Sequence, residues 1–174
     1  IIKDQTLAAI ITPLANPNNT FWTLLFNLSF NRKTIDAPIV VPKNGNINPS
    51  VFKSIPANIW LHGHCHQKAL VGVEHTASLL RMIPNADVHV IPSGCCGMAG
   101  SFGYEKKNYE TSMAIGEMVL FPTIRKAQEN TDVSKQTIIC APGISCRQQI
   151  MEGVGVKAYH PIEILYKAIT NNND

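Results

Sequence analysis

Hydrophobic and polar positions along the chain change their order near residue 55. Beyond that point, short apolar runs alternate with glycine-rich or polar loops and with amphipathic stretches. Runs typical of strands lie at 58–61, 88–91, 137–140 and 156–159. Because strands that alternate with helices form parallel sheets joined by crossover connections, the pattern predicts an α/β fold with a mostly parallel sheet and crossover helices.

The stretches between the predicted strands carry apolar residues at helical spacing. They predict a helix over about 67–82, a longer one over about 108–130 and a short one that ends near 150. Proline in a helix interior removes a backbone donor, so we expect a kink at Pro122. Pro161 suits the first turn of a last helix, whose apolar residues follow it at helical spacing.

The first part of the chain has a different character. The run "FWTLLFNLSF" and the break "VPKNGNINPS" precede the alternating pattern, and neither carries recognisable chemistry. We therefore divide the chain into residues 1–49, an unassigned segment or linker, and residues 50–174, one domain. The chain opens at Ile1 without an initiator methionine, which suggests a piece of a larger polypeptide.

Composition excludes several classes of protein. The 174 residues are 45% hydrophobic and 16% charged, which is ordinary for a globular domain. The net charge of +3 comes from scattered basic residues, so it gives no argument for nucleic acid or a membrane surface. Neither a transmembrane run nor a signal peptide is recognisable, and we expect a cytoplasmic protein.

Chemically rich residues follow the end of every predicted strand. The five cysteines are odd in number, which argues against a disulfide scaffold. Cys65 follows the first strand, Cys95 and Cys96 the second, Cys146 the third and His160 the fourth. Because the carboxyl ends of parallel strands meet at one edge, we expect a cysteine site at that edge. Cys140 ends an apolar strand and is expected in the core.

The stretch "HGHCH" at 62–66 raises the question of metal binding, acid–base chemistry or strand capping. If it is extended, His62, His64 and His66 lie on one side and Cys65 on the other. A histidine pair at this spacing also begins binuclear metal hydrolase sites, but the Asp-His that such sites need does not follow. We expect the histidines to hydrogen-bond around a metal group or to order the loop.

Four converging cysteines suit a thiophilic metal, either an iron–sulfur cluster or zinc. The adjacent pair Cys95-Cys96 departs from the Cys-x-x-Cys spacing of structural zinc sites. Glycines in "GCCGMAGSFG" permit unusual backbone conformations and expose N–H groups to sulfides or an anion. A helix N-terminus beside Cys146 is expected to favour its thiolate.

Four segments of the chain carry a resemblance to a known family: "LHGHCHQKALVG", "VIPSGCCGMAGSFGYEKKNYETSMAIGE", "APGISCRQQI" and "HPIEILYKAI". They resemble the cysteine-rich CCG domain that occurs in heterodisulfide reductase and in the iron–sulfur subunits of glycolate oxidase and anaerobic glycerol-phosphate dehydrogenase. They also resemble the C-terminal part of FAD-linked D-lactate or glycolate dehydrogenase-type oxidoreductases. The resemblance covers about residues 50–170.

The resemblance implies a set of ligands. Cys65 matches the first cysteine of the family, Cys95-Cys96-Gly97 its doublet, and Cys146 the second cysteine of a Cys-x-x-Cys pair. Gly143 stands where the first cysteine of that pair would be, so one ligand of the full set is missing. The implied metal ligands are the four cysteines, with His62, His64, His66, His160, Gly97 and Gly143 around them.

By the same resemblance, the domain is an electron-transfer part of an FAD-linked 2-hydroxy-acid dehydrogenase. It would hold an iron–sulfur cluster of the 4Fe-4S type, open to loss or replacement by zinc, with FAD on another part of the chain. Its partners would be flavin and ferredoxin-like domains. Its location would be the cytoplasm, with peripheral association with a membrane as the alternative. The alternatives are a zinc or metal-free assembly domain, and a thiol–disulfide catalyst that uses Cys95-Cys96, which a strained vicinal disulfide disfavours.

Overall fold

A computed structural model describes residues 49–129 and 134–170. The predictions for residues 1–48 therefore lie outside the described residues. The strands are β1 (Ala57–Leu61), β2 (Ala86–Val90), β3 (Gln136–Cys140) and β4 (Ala158–Tyr159). The helices are α1 (Cys65–Leu70), α2 (Glu74–Leu80), α3 (Tyr109–Met118), α4 (Leu120–Gln128), α5 (Ile144–Val154) and α6 (Pro161–Thr170). Short 3₁₀ turns span Pro49–Val51, Phe102–Tyr104 and Lys106–Asn108.

The strands form one parallel sheet in the order β2-β1-β3-β4. The register of the central pair places Ile59 beside Ile138 and Leu61 beside Cys140. The ladder runs on past the strand ends, where the His62 N–H donates to the Cys140 carbonyl at 2.8 Å. The predicted α/β fold with crossover helices is confirmed.

Side chains alternate across the sheet and build two hydrophobic cores. Ile59 and Leu61 face one side with α2 and α6, which we call the apolar face. Ile139 and Trp60 face the other side with α4 and α5, which we call the site face. The period of two along each strand thus separates the cores.

Two predicted helices are each divided in the structure. The helix expected over 67–82 is interrupted between α1 and α2, where Gly72 has φ +72°, a left-handed conformation that ends a helix. The helix expected over 108–130 breaks at Val119 and not at Pro122. Pro122 lies in the first turn of α4. Proline is tolerated in a first turn because the N–H that it lacks has no partner within the helix there, and its ring disrupts the turn before it.

One aromatic ring fixes how the helices of the site face pack. Phe121 is fully buried, and its ring fills the space beside Gly116 of α3 and Gly153 of α5. A Cβ at either glycine would overlap the ring, so the absence of side chains allows three helices to approach closely.

The last helix begins with a reciprocal cap. The His160 Nδ1 accepts from the Ile162 N–H at 3.2 Å, and the Glu163 carboxylate accepts from the His160 N–H at 2.6 Å. This arrangement satisfies two backbone donors at the start of α6, in the manner of a capping box. Within residues 49–129 and 134–170, none of the helices combines the length and apolar character needed to cross a bilayer.

Candidate metal centre

The site lies where the chain reverses direction across the sheet. From β1 the chain continues to β2 at one edge of the sheet, and from β3 it continues to β4 at the opposite edge. The connections leaving β1 and β3 diverge and leave a crevice beyond the carboxyl ends of these neighbouring strands. The loop after β1, the loop after β2 and the start of α5 meet there.

Three buried side chains meet in this crevice. The potential ligand atoms of His62, Cys96 and Cys146 all lie within 4.8 Å of one another. His62 Nδ1 lies 2.7 Å from the hydroxyl oxygen of Ser93, which fixes the ring. Within the described part of the chain, the buried His62 Nε2 makes no well-formed hydrogen bond, and the imidazole lies beside the Cys96 sulfur. A buried imidazole nitrogen without a partner, beside two sulfurs, is a donor atom available to a metal.

The loop after β2 directs backbone N–H groups at its own sulfurs. The Gly97 N–H donates to Cys95 Sγ at 3.3 Å, and the Met98 N–H hydrogen-bonds Cys96 Sγ. Gly97 has φ +104°, and a Cβ there would overlap the Ser112 carbonyl of α3. Only glycine meets both demands, so the loop can curl around the sulfurs while lying against α3.

The Cys96 and Cys146 side chains hydrogen-bond each other. The hydrogen bond from the Cys146 thiol lowers the pKa of Cys96, and His62 and the Met98 N–H act in the same direction against burial. The pKa of Cys146 is raised, because its thiol donates to Cys96 and because it is buried. The expectation that the α5 N-terminus favours the Cys146 thiolate stays a prediction, and the neighbouring Cys96 sulfur acts in the opposite direction.

Cys65 and Cys95 form the outer rim of the site. Cys65 is exposed, Cys95 is half-buried, and their side chains hydrogen-bond each other. Burial and the neighbouring Cys95 raise the pKa of the Cys65 thiol, although the His66 N–H also donates to its sulfur. All four predicted cysteines thus surround one crevice, two inside and two at its mouth.

The remaining histidines are not on one side, because "HGHCH" is not extended: α1 begins at Cys65. His64 is half-buried and lies against Gly143, and burial lowers the pKa of its imidazole. The side chain of His66 is exposed. His160 caps α6, and burial together with Arg147 lowers the pKa of its imidazole to about 4.

Lys68 was not predicted as a site residue. Its ammonium donates to the Ser93 carbonyl and, at 2.6 Å, to the Gly94 carbonyl, so it ties α1 to the loop that carries Cys95. It interacts electrostatically with all four site cysteines, although burial lowers the pKa of this ammonium. Its position one helical turn after Cys65 placed it on the same face of α1, and this spacing was the available clue.

Cys140 lies apart from these groups, as predicted. It is fully buried among the apolar-face residues, and burial raises the pKa of its thiol. A neutral thiol in an apolar core acts as a small hydrophobic side chain.

The donor set fits a thiophilic metal. Two buried sulfurs and one imidazole nitrogen already lie at nearly the spacing that a single ion requires. The two rim sulfurs add donors at the mouth of the crevice, so a larger group such as a cluster also finds thiolate ligands there.

Comparison with known proteins places this chain beside two kinds of dehydrogenase. It is 33% identical over 118 residues to one subunit of the anaerobic glycerol-3-phosphate dehydrogenase of Escherichia coli (strain K12), covering 68% of this chain and 28% of the relative. It is 33% identical over 113 residues to D-2-hydroxyglutarate dehydrogenase of the same strain, covering 63% and 10%. The enzyme of the latter name from Pseudomonas putida (strain KT2440) is 28% identical over 122 residues, covering 69% and 11%.

The chain therefore spans between about a tenth and just over a quarter of the length of these relatives. No family model matches it, and no solved structure gives a significant match.

Proposed function

This chain belongs to the cysteine-rich CCG domain family, and on that premise we propose that it binds an iron–sulfur cluster in the crevice formed by Cys65, Cys95, Cys96 and Cys146. The cluster would be of the 4Fe-4S type and would serve electron transfer inside a larger dehydrogenase. His62 is an additional candidate ligand through its Nε2.

One observation supports the proposal above the others. Buried His62, Cys96 and Cys146 place their donor atoms within 4.8 Å of one another, and the imidazole nitrogen has no other partner among the described residues. Structural cysteines and histidines in a core are normally neutral or hydrogen-bonded, as Cys140 and His160 are. The crevice groups are neither inert nor fully satisfied.

The residues of the chain have separable tasks at such a site. The four cysteines supply thiolates, while the Gly97 and Met98 N–H groups stabilise negative charge on Cys95 and Cys96. Lys68 adds a fixed positive charge and holds the second loop in place. When bound, an iron–sulfur cluster supplies one-electron redox chemistry, and nearby donors and charges set its potential.

The relatives suggest the wider context. They are named as dehydrogenases of glycerol 3-phosphate and D-2-hydroxyglutarate. We propose that the whole protein is an FAD-linked 2-hydroxy-acid dehydrogenase acting on a D-lactate- or glycolate-like substrate, cytoplasmic or peripheral at a membrane. Flavin and ferredoxin-like domains of the same chain or complex would supply the electrons, so this domain alone would not oxidise substrate.

A second candidate is a zinc or metal-free domain that serves assembly. The compact group of one histidine and two cysteines favours it, because three protein ligands with a fourth from Cys65 or Cys95 would make a tetrahedral zinc site. In that case the chain would bind one zinc ion tightly and show no redox change.

The two candidates are separated by anaerobic purification and reconstitution with iron and sulfide. The proposal predicts about four irons and four sulfides per chain for a 4Fe-4S cluster, thiolate-to-iron charge-transfer absorption, and bleaching on reduction. Zinc at one ion per chain that iron and sulfide do not displace would support the assembly role instead. Protein that binds neither metal would contradict both metal-bound functions.

A further inference from the structure

Gly143 is needed for space and not for its backbone conformation. It precedes α5 with φ −76° and ψ 132°, an extended conformation open to every residue. A Cβ at this position would lie 2.6 Å from His64 Cδ2 and 2.9 Å from Cys146 Sγ. Both distances are too short for a real contact, so the His64 ring and a side chain at 143 compete for one volume.

The His64 ring enters the site through this volume. Its Cδ2 and the Cys146 sulfur lie within 3 Å of the same point, which places the ring beside one of the two inner thiols. The ring atoms nearest to this volume are Cδ2, at 2.6 Å, and Cγ, at 3.4 Å, and Nε2 is bonded to Cδ2. His64 precedes α1, yet its side chain does not cap that helix.

We propose that His64 Nε2 is a further donor to the metal group of this site, and that Gly143 is the position that admits it. The inference rests on the proposed metal-binding function and adds a nitrogen donor to the cysteines. It also makes positions 64 and 143 alternatives: either a ring from the first loop or a side chain from the start of α5 can occupy the volume beside Cys146.

The steric part is tested without metal, by unfolding metal-free protein in urea. Gly143→Ala lowers the unfolding midpoint in the wild-type background and in His64→Phe, which keeps a ring of similar size. In His64→Ala the same change has a smaller effect, because the ring that it would meet is gone. An equal shift in all three backgrounds would overturn the shared-volume claim.

The donor part is tested by anaerobic titration with Co²⁺, whose visible bands report its ligands. His64→Ala and His64→Phe both weaken binding by about tenfold or more, whereas His75→Ala, at an exposed histidine on α2, stays within about twofold. The double variant His64→Ala/Gly143→Cys regains affinity and gains thiolate-to-cobalt charge-transfer intensity, because a thiol now enters from position 143.

The outcomes distinguish this inference from the proposed function. If wild type binds neither Co²⁺ nor a reconstituted iron–sulfur cluster, the proposed function fails, and so does the donor role that depends on it. If wild type binds Co²⁺ and His64→Phe binds it equally well, the metal site stands and His64 is not a donor. Near-ultraviolet circular dichroism of each variant checks that its fold is retained.

Discussion

The two faces of the sheet each bury cysteine and histidine chemistry, but in opposite ways. On the apolar face Cys140 is surrounded by hydrocarbon, and burial raises the pKa of its thiol. Beyond β4, buried His160 uses its Nδ1 in the cap of α6. On the site face Cys96 and Cys146 hydrogen-bond each other, and buried His62 keeps one nitrogen without a well-formed hydrogen bond among the described residues.

The difference shows that burial alone does not identify a functional residue. Cys140 and Cys146 are six positions apart and about equally buried. What separates them is the neighbour: hydrocarbon in one case, a second sulfur in the other. Buried polar groups are normally satisfied, so the unsatisfied one marks the place where a ligand is expected.

The largest expected effect comes from removing a sulfur on the site face, and removal of the buried sulfur on the apolar face is its control. Cys96→Ala or Cys146→Ala abolishes cluster assembly, because each removes an inner thiolate. Cys140→Ala assembles the wild-type amount of iron and sulfide and loses only about 1 kcal/mol of unfolding free energy. Iron and sulfide analysis with urea unfolding checks both. Equal metal loss in all three variants would remove the distinction between the faces.

The second prediction concerns how the stability of the fold depends on pH through buried His160. The pKa of His160 is lowered to about 4, so between pH 6.5 and 4 the unfolded chain takes up a proton that the folded chain does not. This group therefore contributes its full stabilisation above pH 6.5. As the pH is lowered from 6.5 to 4, the free energy of unfolding falls by about 3 kcal/mol because of His160. His160→Asn keeps a side-chain acceptor for the helix cap and removes the titration.

Urea unfolding of metal-free wild type and His160→Asn at several pH values measures this difference. The two curves should converge near pH 4 and separate above it, after allowance for the constant cost of the substitution. Parallel curves throughout this window would show that His160 does not remain neutral in the folded protein.

A third test concerns the packing of the site face. Gly153→Ala costs about 1–3 kcal/mol, because the new methyl overlaps the Phe121 ring. The cost appears even though alanine favours a helix by about 1 kcal/mol over glycine. Met151→Ala on the exposed side of α5 is the control. In a Phe121→Leu background, Gly153→Ala should cost less, and an unchanged cost would contradict the contact.

The smallest effect is expected at Lys68. Lys68→Met removes two hydrogen bonds to the loop after β2 and a positive charge near the thiols. The variant should lose about 1 kcal/mol of stability. The reduction potential of its reconstituted cluster should fall. The reduced cluster carries more negative charge than the oxidised one, so the loss of a nearby positive charge destabilises the reduced state more. Redox titration against Lys126→Met, an exposed lysine on α4, measures this, and equal potentials would argue against a tuning role.

The sequence alone determined where the four strands lie to within two residues, that they run parallel, and that the site cysteines lie beyond strand ends. These follow from local properties: side chains alternate along a strand, and parallel strands place their carboxyl ends at one edge. The core position of Cys140 followed from its place at the end of an apolar strand. The two helix breaks were not found, because Gly72 and Val119 interrupt otherwise continuous helical patterns.

Only the tertiary structure decided which two sulfurs hydrogen-bond each other, which histidine has an unpartnered nitrogen and where Lys68 donates. These properties depend on contacts between loops that are far apart along the chain, such as His62 with Ser93, 31 positions away. A shift of about 1 Å changes a hydrogen bond, whereas the hydrophobic pattern that fixes the fold tolerates it. The pattern therefore gave the location of the site, and packing gave its chemistry.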